Sequence, residues 1–254
     1  MRGVLHRITR VAIAAGAGCA LGAVSAAAYE GGPVTNGGTI AGSVRVIGAV
    51  TPLPPQPVQK HVEECGKTVR DERLVVGPNG ALGNVIVRLL DVDHGKPLPT
   101  GPVVLLNHKC AFVPHVLTAC VGQTLELVNQ DPFLHDAHAW LGDRTLFNLA
   151  IPRGRTVHAH LQDGGLIQIN CNVRHTWMHA FLFVGESPYL AVTDATGHFT
   201  ITEVPAGTYH LHVWHEILGS ADREVTVGAG GTTNVDVGLA ATAPGPPTEQ
   251  VIDE

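Results

Sequence analysis

The residues Cys171, His175 and Met178 lie within eight positions and read Cys-x3-His-x2-Met. A cysteine thiolate and a methionine thioether are soft ligands, and an imidazole suits copper as well as zinc. Together the three donors favour a copper ion. The alternative is that a buried Cys, a surface His and a core Met are neighbours by chance. Chance accounts well for any one of them and poorly for all three.

Another donor lies upstream of this group. Residues 124–128 alternate between apolar and polar side chains, which predicts a half-buried strand, and residues 129–132 break the pattern. His135 follows the break and can supply a second imidazole. Two His, one Cys and a long, weak axial Met are the ligands of blue-copper electron-transfer centres.

Two apolar runs, residues 166–169 and 181–184, flank the Cys-His-Met group and predict strands on either side of it. The ligands would then lie on a loop that two strands of a sandwich hold in place. At this point residues 103–185 resemble the cupredoxins in the order and spacing of their motifs. The resemblance implies a cupredoxin-like Greek-key β-sandwich that binds one copper ion through four ligands: His135, Cys171, His175 and Met178. Asp136 departs from the family, which commonly has Asn after the first ligand.

The surroundings of Cys171 argue against two other kinds of copper site. The binuclear site of cytochrome oxidase, which has similar spacing, needs a second bridging Cys four residues earlier, where Ile167 stands. Multicopper oxidases carry a His-Cys-His string, whereas Asn170 and Asn172 flank Cys171. We therefore expect a mononuclear centre and no enzymatic activity.

Residues 1–28 have the pattern of a secretory signal peptide, with three Arg residues, an Ala/Gly-rich apolar run and an Ala-x-Ala cleavage site. An uncleaved membrane anchor is the alternative, although so much Gly and Ala makes a weak span. We expect a periplasmic or secreted protein with no integral membrane span after cleavage. Removing these residues leaves 13 Lys+Arg against 22 Asp+Glu, a formal charge of −9. That charge argues against a nucleic-acid partner.

Abundant Gly and Pro, short β-branched runs and the lack of helical periodicity predict an all-β chain. From Pro188 onwards the motifs Thr-Asp-x-x-Gly-x-Phe and Val-Pro-Ala-Gly-x-Tyr resemble the carboxypeptidase regulatory-like, transthyretin-like β-sandwich, an accessory module without peptidase residues. This module is short, and residues 38–100 are candidates to add strands to it. The expected regions are a signal peptide (1–28), an N-terminal β region (38–102), a copper domain (103–186), the smaller sandwich (187–240) and a disordered acidic tail (241–254).

Four cysteines follow the signal peptide, and if Cys171 binds copper the other three leave one unpaired. We expect a Cys65–Cys110 disulfide, with Cys120 buried as a free thiol. A Cys110–Cys120 bridge is the alternative.

Fourteen of the 15 histidines also follow the signal peptide. None outside the proposed site is assigned as a ligand, and a second metal site is left open for five of them: His138, His158, His160, His212 and His215. His179 is interpreted as structural. Trp177 is either part of an apolar docking rim around an exposed His175 or an ordinary core residue.

The combination of these two regions resembles secreted cupredoxin-like proteins that are sometimes labelled methylamine-utilisation proteins. The first hypothesis is an exported copper protein that carries single electrons between redox protein partners. The second is a periplasmic copper-binding or delivery protein without electron transfer, and the third is a structural module with a vestigial site. The sequence does not predict the oligomeric state.

Overall fold

The structure is a computed structural model that describes residues 28–241. The predicted signal peptide and acidic tail lie outside this range except for one residue each. The expected all-β class is confirmed, because the described chain contains one four-residue helix, α1, and one 3-10 turn. The helical segments are α1 (Val62–Cys65) and the turn Pro78–Gly80. None of the described helices has the length and apolar character needed to cross a membrane.

Twenty strands make up the rest of the regular structure. They are β1 (Glu30–Gly31), β2 (Gly38–Ile47), β3 (Gln56–Pro57), β4 (Thr68–Val69), β5 (Ile86–Leu90), β6 (His94–Gly95), β7 (Val103–His108), β8 (Ala111–Val113), β9 (Val116–Cys120), β10 (Thr124–Asn129), β11 (His135–Leu141), β12 (Arg144–Ile151), β13 (Thr156–His160), β14 (Gly165–Asn170), β15 (His179–Gly185), β16 (Leu190–Val192), β17 (His198–Val204), β18 (Gly207–His215), β19 (Gly219–Val227) and β20 (Thr232–Ala240).

The first sandwich consists of β7 to β15. One sheet has the order β13-β10-β7-β8, and the facing sheet has the order β12-β11-β14-β15-β9. Period-2 alternation places Leu125 and Leu127 of β10 in the core, opposite Ile167 and Ile169 of β14. Each sheet contains one parallel pair, β7–β10 and β9–β15 respectively, and its other strand pairs are antiparallel.

The second sandwich combines strands from both ends of the chain. Its sheets have the orders β16-β5-β18-β19 and β17-β2-β20. In β18 the side chains of Tyr209, Leu211 and Val213 enter the core, while His210 lies on the exposed face. The N-terminal β region therefore forms no body of its own, since β2 pairs with β17 and β20 and β5 pairs with β16 and β18.

A small apolar cluster joins the two sandwiches. Val116 and Phe183 of the first sandwich pack with Ile86 of the second, and Trp214 lies against them. The Phe181 and Trp214 rings also meet at 5.1 Å between centroids. The cluster is thus made by side chains of β9, β14 and β15 from the first sandwich and of β5, β16 and β18 from the second.

Candidate metal centre

Three of the four predicted ligands converge in the core of the first sandwich. The Nδ1 atoms of His135 and His175 are 3.1 Å apart, and the Cys171 Sγ atom lies 3.6 Å from the first and 3.5 Å from the second. His135 begins β11, whereas the other two residues lie on the loop between β14 and β15. We call this group of His135, Cys171 and His175 the buried triangle, because its residues are at most 3% exposed.

The size of the buried triangle fits one transition-metal ion. Bonds of roughly 2.0–2.1 Å to imidazole and 2.3 Å to thiolate, the values for zinc, place trigonal ligand atoms about 3.5–3.8 Å apart. The observed separations of 3.1–3.6 Å are slightly shorter. Two imidazoles with one thiolate are the in-plane donor set of blue-copper centres. The donor set and its spacing therefore fit copper.

Burial determines the protonation of the buried triangle in the absence of a metal ion. Burial raises the pKa of the Cys171 thiol to about 12, so the thiolate requires a bound cation at neutral pH. Burial lowers the pKa of His175 to about 4. His175 is consequently neutral at physiological pH and has a lone pair to offer.

Asp131 orients the first histidine. The His135 Nε2 atom lies 3.0 Å from the Asp131 carboxylate, so Nε2 donates a proton and Nδ1 keeps its lone pair toward the buried triangle. The same carboxylate accepts hydrogen bonds from the backbone N–H groups of Lys109 and Cys110 at 2.7 and 2.9 Å. Burial alone would raise the pKa of Asp131, but the hydrogen bonds from His135 and the backbone hold that pKa below its usual range.

Asp136, at the position where Asn was expected from the cupredoxin resemblance, contacts the loop between β14 and β15. Its Oδ1 atom accepts hydrogen bonds from the backbone N–H groups of Asn172 at 2.5 Å and Val173 at 3.3 Å. The start of β11 is thereby tied to the loop that carries Cys171 and His175.

Met178 lies at the end of that loop and is 2% exposed. Its backbone N–H donates to the His175 carbonyl at 2.8 Å, and its carbonyl accepts from the Cys171 N–H at 3.2 Å. These bonds fold the loop back on itself and keep the thioether residue in the same core as the buried triangle. Its role as an axial ligand remains a prediction.

His61 and Phe133 cover the second histidine. Their rings stack at 3.9 Å, and the His61 and Phe133 centroids each lie 5.4 Å from that of His175. His175 is fully buried, and its Nε2 atom has no hydrogen-bond partner among residues 28–241. Of the two alternatives for this region, a docking rim around an exposed His175 is therefore not found. Trp177 is a core residue, 6% exposed, whose indole N–H donates to the Cys110 carbonyl at 2.9 Å.

The predicted disulfide between Cys65 and Cys110 is present, and Cys120 is buried with a free thiol. The bridge attaches the segment that carries His61 to the backbone that binds Asp131. Sequence reasoning missed Asp131 and His61 as supports of the site. Asp131 could have been found from its position four residues before His135, whereas nothing in the sequence places His61 over His175.

The other histidines that were left open are not part of the buried triangle. His138 stacks on Trp140 and contacts Asn172, while His158 lies 3.6 Å from Glu126 on an exposed face. His160 contacts the Thr124 hydroxyl, and His212 pairs with Asp222. His215 is buried, and its Nδ1 atom accepts backbone hydrogen bonds.

Part of the chain matches a known family. Residues 183–240 match the model of the carboxypeptidase regulatory-like domain, as the motifs of this region predict. The matched range contains β16 to β20, the C-terminal strands of the second sandwich. No curated protein is significantly similar to the chain.

Several solved structures are similar to about a third of the chain. They include a copper-containing nitrite reductase from Thermus scotoductus SA-01, with 26% identity over 36% of this chain and 24% of that one, and a TM-score of 0.32. A mutant of amicyanin in the reduced state has 19% identity over 33% and 81% of the two chains, with a TM-score of 0.30. A purple cupredoxin from Nitrosopumilus maritimus has 18% identity over 34% and 100%, with a TM-score of 0.29. The chain spans about a quarter of the nitrite reductase.

Proposed function

We propose that the protein is an exported mononuclear copper protein that carries single electrons between redox protein partners and catalyses no reaction of its own. The observation that carries the proposal is the convergence of two imidazole nitrogens and one thiol sulfur within 3.6 Å in a buried core. A copper ion bound there supplies one-electron chemistry by alternating between its cuprous and cupric states. The predicted signal peptide supports a location in the periplasm or beyond.

The protein's own residues hold the donors in place and exclude water. Asp131 fixes the tautomer of His135, and the Asp136 carboxylate holds the loop that carries Cys171 and His175. These contacts fix the donors within the spacing that one ion requires, so little rearrangement is needed when an ion binds. A pre-arranged set of this kind suits a carrier whose ligands keep one geometry in both oxidation states.

The stacked rings of His61 and Phe133 lie between His175 and the surface, and we assign the partner-docking face to them. Their sequence neighbours Val62 and Leu134 are 43% and 45% exposed, which leaves apolar surface beside the covered ligand. A redox partner that contacts this face would exchange electrons by way of the His61–Phe133 pair.

Copper delivery is the alternative function, and the 14 histidines after the signal peptide are what favours it. Complete burial of all three donors weighs against it, because an accepting protein has to reach the ligands. Cu(II) titration with visible and EPR spectra, followed by voltammetry, tests both. The proposal expects one equivalent of bound copper, an intense thiolate-to-copper charge-transfer band and reversible cycling. Copper that binds but does not cycle would favour delivery, and no binding would indicate a vestigial site.

A further inference from the structure

A second group of metal-binding side chains lies where the two sandwiches meet. His115 precedes β9 and His179 begins β15, both in the first sandwich, whereas Glu216 follows β18 in the second. The imidazole and carboxylate atoms of these residues lie within 4.8 Å of one another. We call the three residues the seam group. We propose that the seam group binds one divalent transition cation of the Zn(II) class and thereby links the two sandwiches.

The hydrogen bonds of His115 orient it as a ligand. Its Nδ1 atom lies 3.1 Å from the His179 carbonyl oxygen, which can only accept, so Nδ1 carries a proton. In the neutral ring the lone pair is then on Nε2, which faces the Glu216 carboxylate in direct contact. Metal-binding histidines commonly donate their other N–H to a carbonyl in this way.

The contact between His115 and Glu216 requires a proton or a metal ion. A lone pair and a carboxylate repel each other, so either a proton shared between the two groups or a metal ion bound by both has to compensate for the repulsion. The side chains are 5% and 7% exposed, so water can solvate the Glu216 carboxylate only poorly. The charge of Glu216 helps to raise the pKa of Arg73, but Arg73 donates its hydrogen bonds to Asp71.

The third member has the spacing of a ligand and not that of a hydrogen-bond donor. The His179 Nε2 atom lies 3.5 Å from the second Glu216 oxygen, beyond the usual 2.7–3.2 Å range for N–H···O hydrogen bonds. Two ligand atoms bound tetrahedrally at roughly 2.0–2.1 Å are about 3.3 Å apart. The His179–Glu216 pair therefore has the separation that an ion between them would produce, whereas the closer contact between His115 and Glu216 has to lengthen when an ion binds.

A cavity of about 20 Å³ beside His115 and His179 provides room for a water molecule as a fourth ligand. Met178 and Trp177 form part of its wall. His215 is not a ligand, although it adjoins Glu216, because its Nδ1 accepts hydrogen bonds from the backbone of Ile217 and Leu218. Two imidazoles, one carboxylate and one water make a donor set known for zinc, whereas Ca²⁺ and Mg²⁺ prefer oxygen ligands throughout.

The test measures Zn(II) bound per full-length chain, by equilibrium dialysis and elemental analysis, in wild type and Glu216→Gln. Zn(II) also suits the buried triangle, so the difference between the two proteins is the readout and the total is not. Glu216→Gln keeps the size of the side chain, removes its charge and replaces one acceptor oxygen with an amide NH2 group. We expect it to bind one Zn(II) fewer than wild type, because the carboxylate ligand of the seam group is lost.

Glu224→Gln is the matched control, because it makes the same chemical change on an exposed carboxylate of the second sandwich. It should bind as much Zn(II) as wild type. His179→Asn tests the seam group from the first sandwich and keeps the question answerable if Glu216→Gln folds poorly. Zn(II) should also raise the melting temperature of wild type more than that of either seam variant. Equal Zn(II) binding by wild type and both seam variants would overturn the proposal and leave a protonated His115 paired with Glu216.

Discussion

The buried triangle and the seam group differ in where their donors come from and in what those donors prefer. All three residues of the buried triangle belong to one sandwich, and the group includes a thiol whose pKa burial raises to about 12. The seam group draws two imidazoles from one sandwich and a carboxylate from the other. Thiolate with imidazole favours copper, whereas imidazole with carboxylate suits zinc. Donor type can therefore direct two different ions to two sites in one chain.

The largest expected effect is the loss of the copper colour in Cys171→Ser while zinc binding at the seam group is unchanged. Cys171→Ser removes the thiolate on which charge-transfer absorption depends, so the colour with Cu(II) should disappear instead of shifting. The seam group should bind Zn(II) as in wild type, because it shares no ligand with the buried triangle. Visible spectra and zinc analysis check both outcomes. Cys120→Ser, which changes the other buried free cysteine, is the control. Colour that persists in Cys171→Ser would contradict the assignment of Cys171 as a ligand.

Loss of the disulfide should destabilise the sandwich that carries the buried triangle. The Cys65–Cys110 bridge closes a loop with a sequence separation of 45, and its removal is expected to cost about 4 kcal/mol of unfolding free energy. The Cys65→Ala/Cys110→Ala double variant also frees the backbone that donates to Asp131. Urea unfolding of the metal-free protein measures the loss. A loss below about 1 kcal/mol would show that packing alone holds this segment in place.

Asp131→Ala tests the support of the first histidine. Without the carboxylate, His135 is no longer held with Nδ1 toward the buried triangle, so copper affinity should fall about 10–100-fold, and zinc uptake at the seam should not change. Competition with a chelator of known affinity measures the change. Asp163→Ala, which removes a carboxylate at the surface, serves as the control. Equal copper affinity in wild type and Asp131→Ala would mean that packing alone orients His135.

The difference between the two groups also explains why the sequence predicts the buried triangle and not the seam group. Cys171 and His175 are four residues apart, and a broken strand pattern precedes His135, so local spacing identifies the buried triangle. The class of fold follows from period-2 alternation, as in β10 and β18. The seam group has no such signal, since residues 115, 179 and 216 meet only when the two sandwiches pack together. The cover of His175 by His61 likewise depends on tertiary contacts that a disulfide imposes.

Sequence motifs predict the second sandwich only in part, for the same reason. The motifs after Pro188 identify its C-terminal strands, but its sheets are completed by β2 and β5, more than 100 residues earlier in the chain. The sequence offers residues 38–100 as candidates for this role and does not give their pairing. Residues 74–76, which look like a strand, form only a single bridge between Val76 and Leu82. Short apolar runs are thus ambiguous until their partners are known.

The smallest expected effect concerns Met178, which ends the ligand loop and is followed directly by His179 of the seam group. Axial ligands tune the potential of blue-copper centres. Met178→Leu should keep copper and raise the potential, because a donor to Cu(II) is lost. Met178→Gln should lower it, because a harder oxygen donor favours the oxidised ion. Voltammetry should give the order Leu above Met above Gln, with zinc uptake at the seam unchanged in all three. Potentials that do not move would show that Met178 is not a ligand. A loss of zinc uptake in either variant would instead mean that the two sites are coupled through the Met178–His179 backbone, and the division of the molecule into two independent centres would fail.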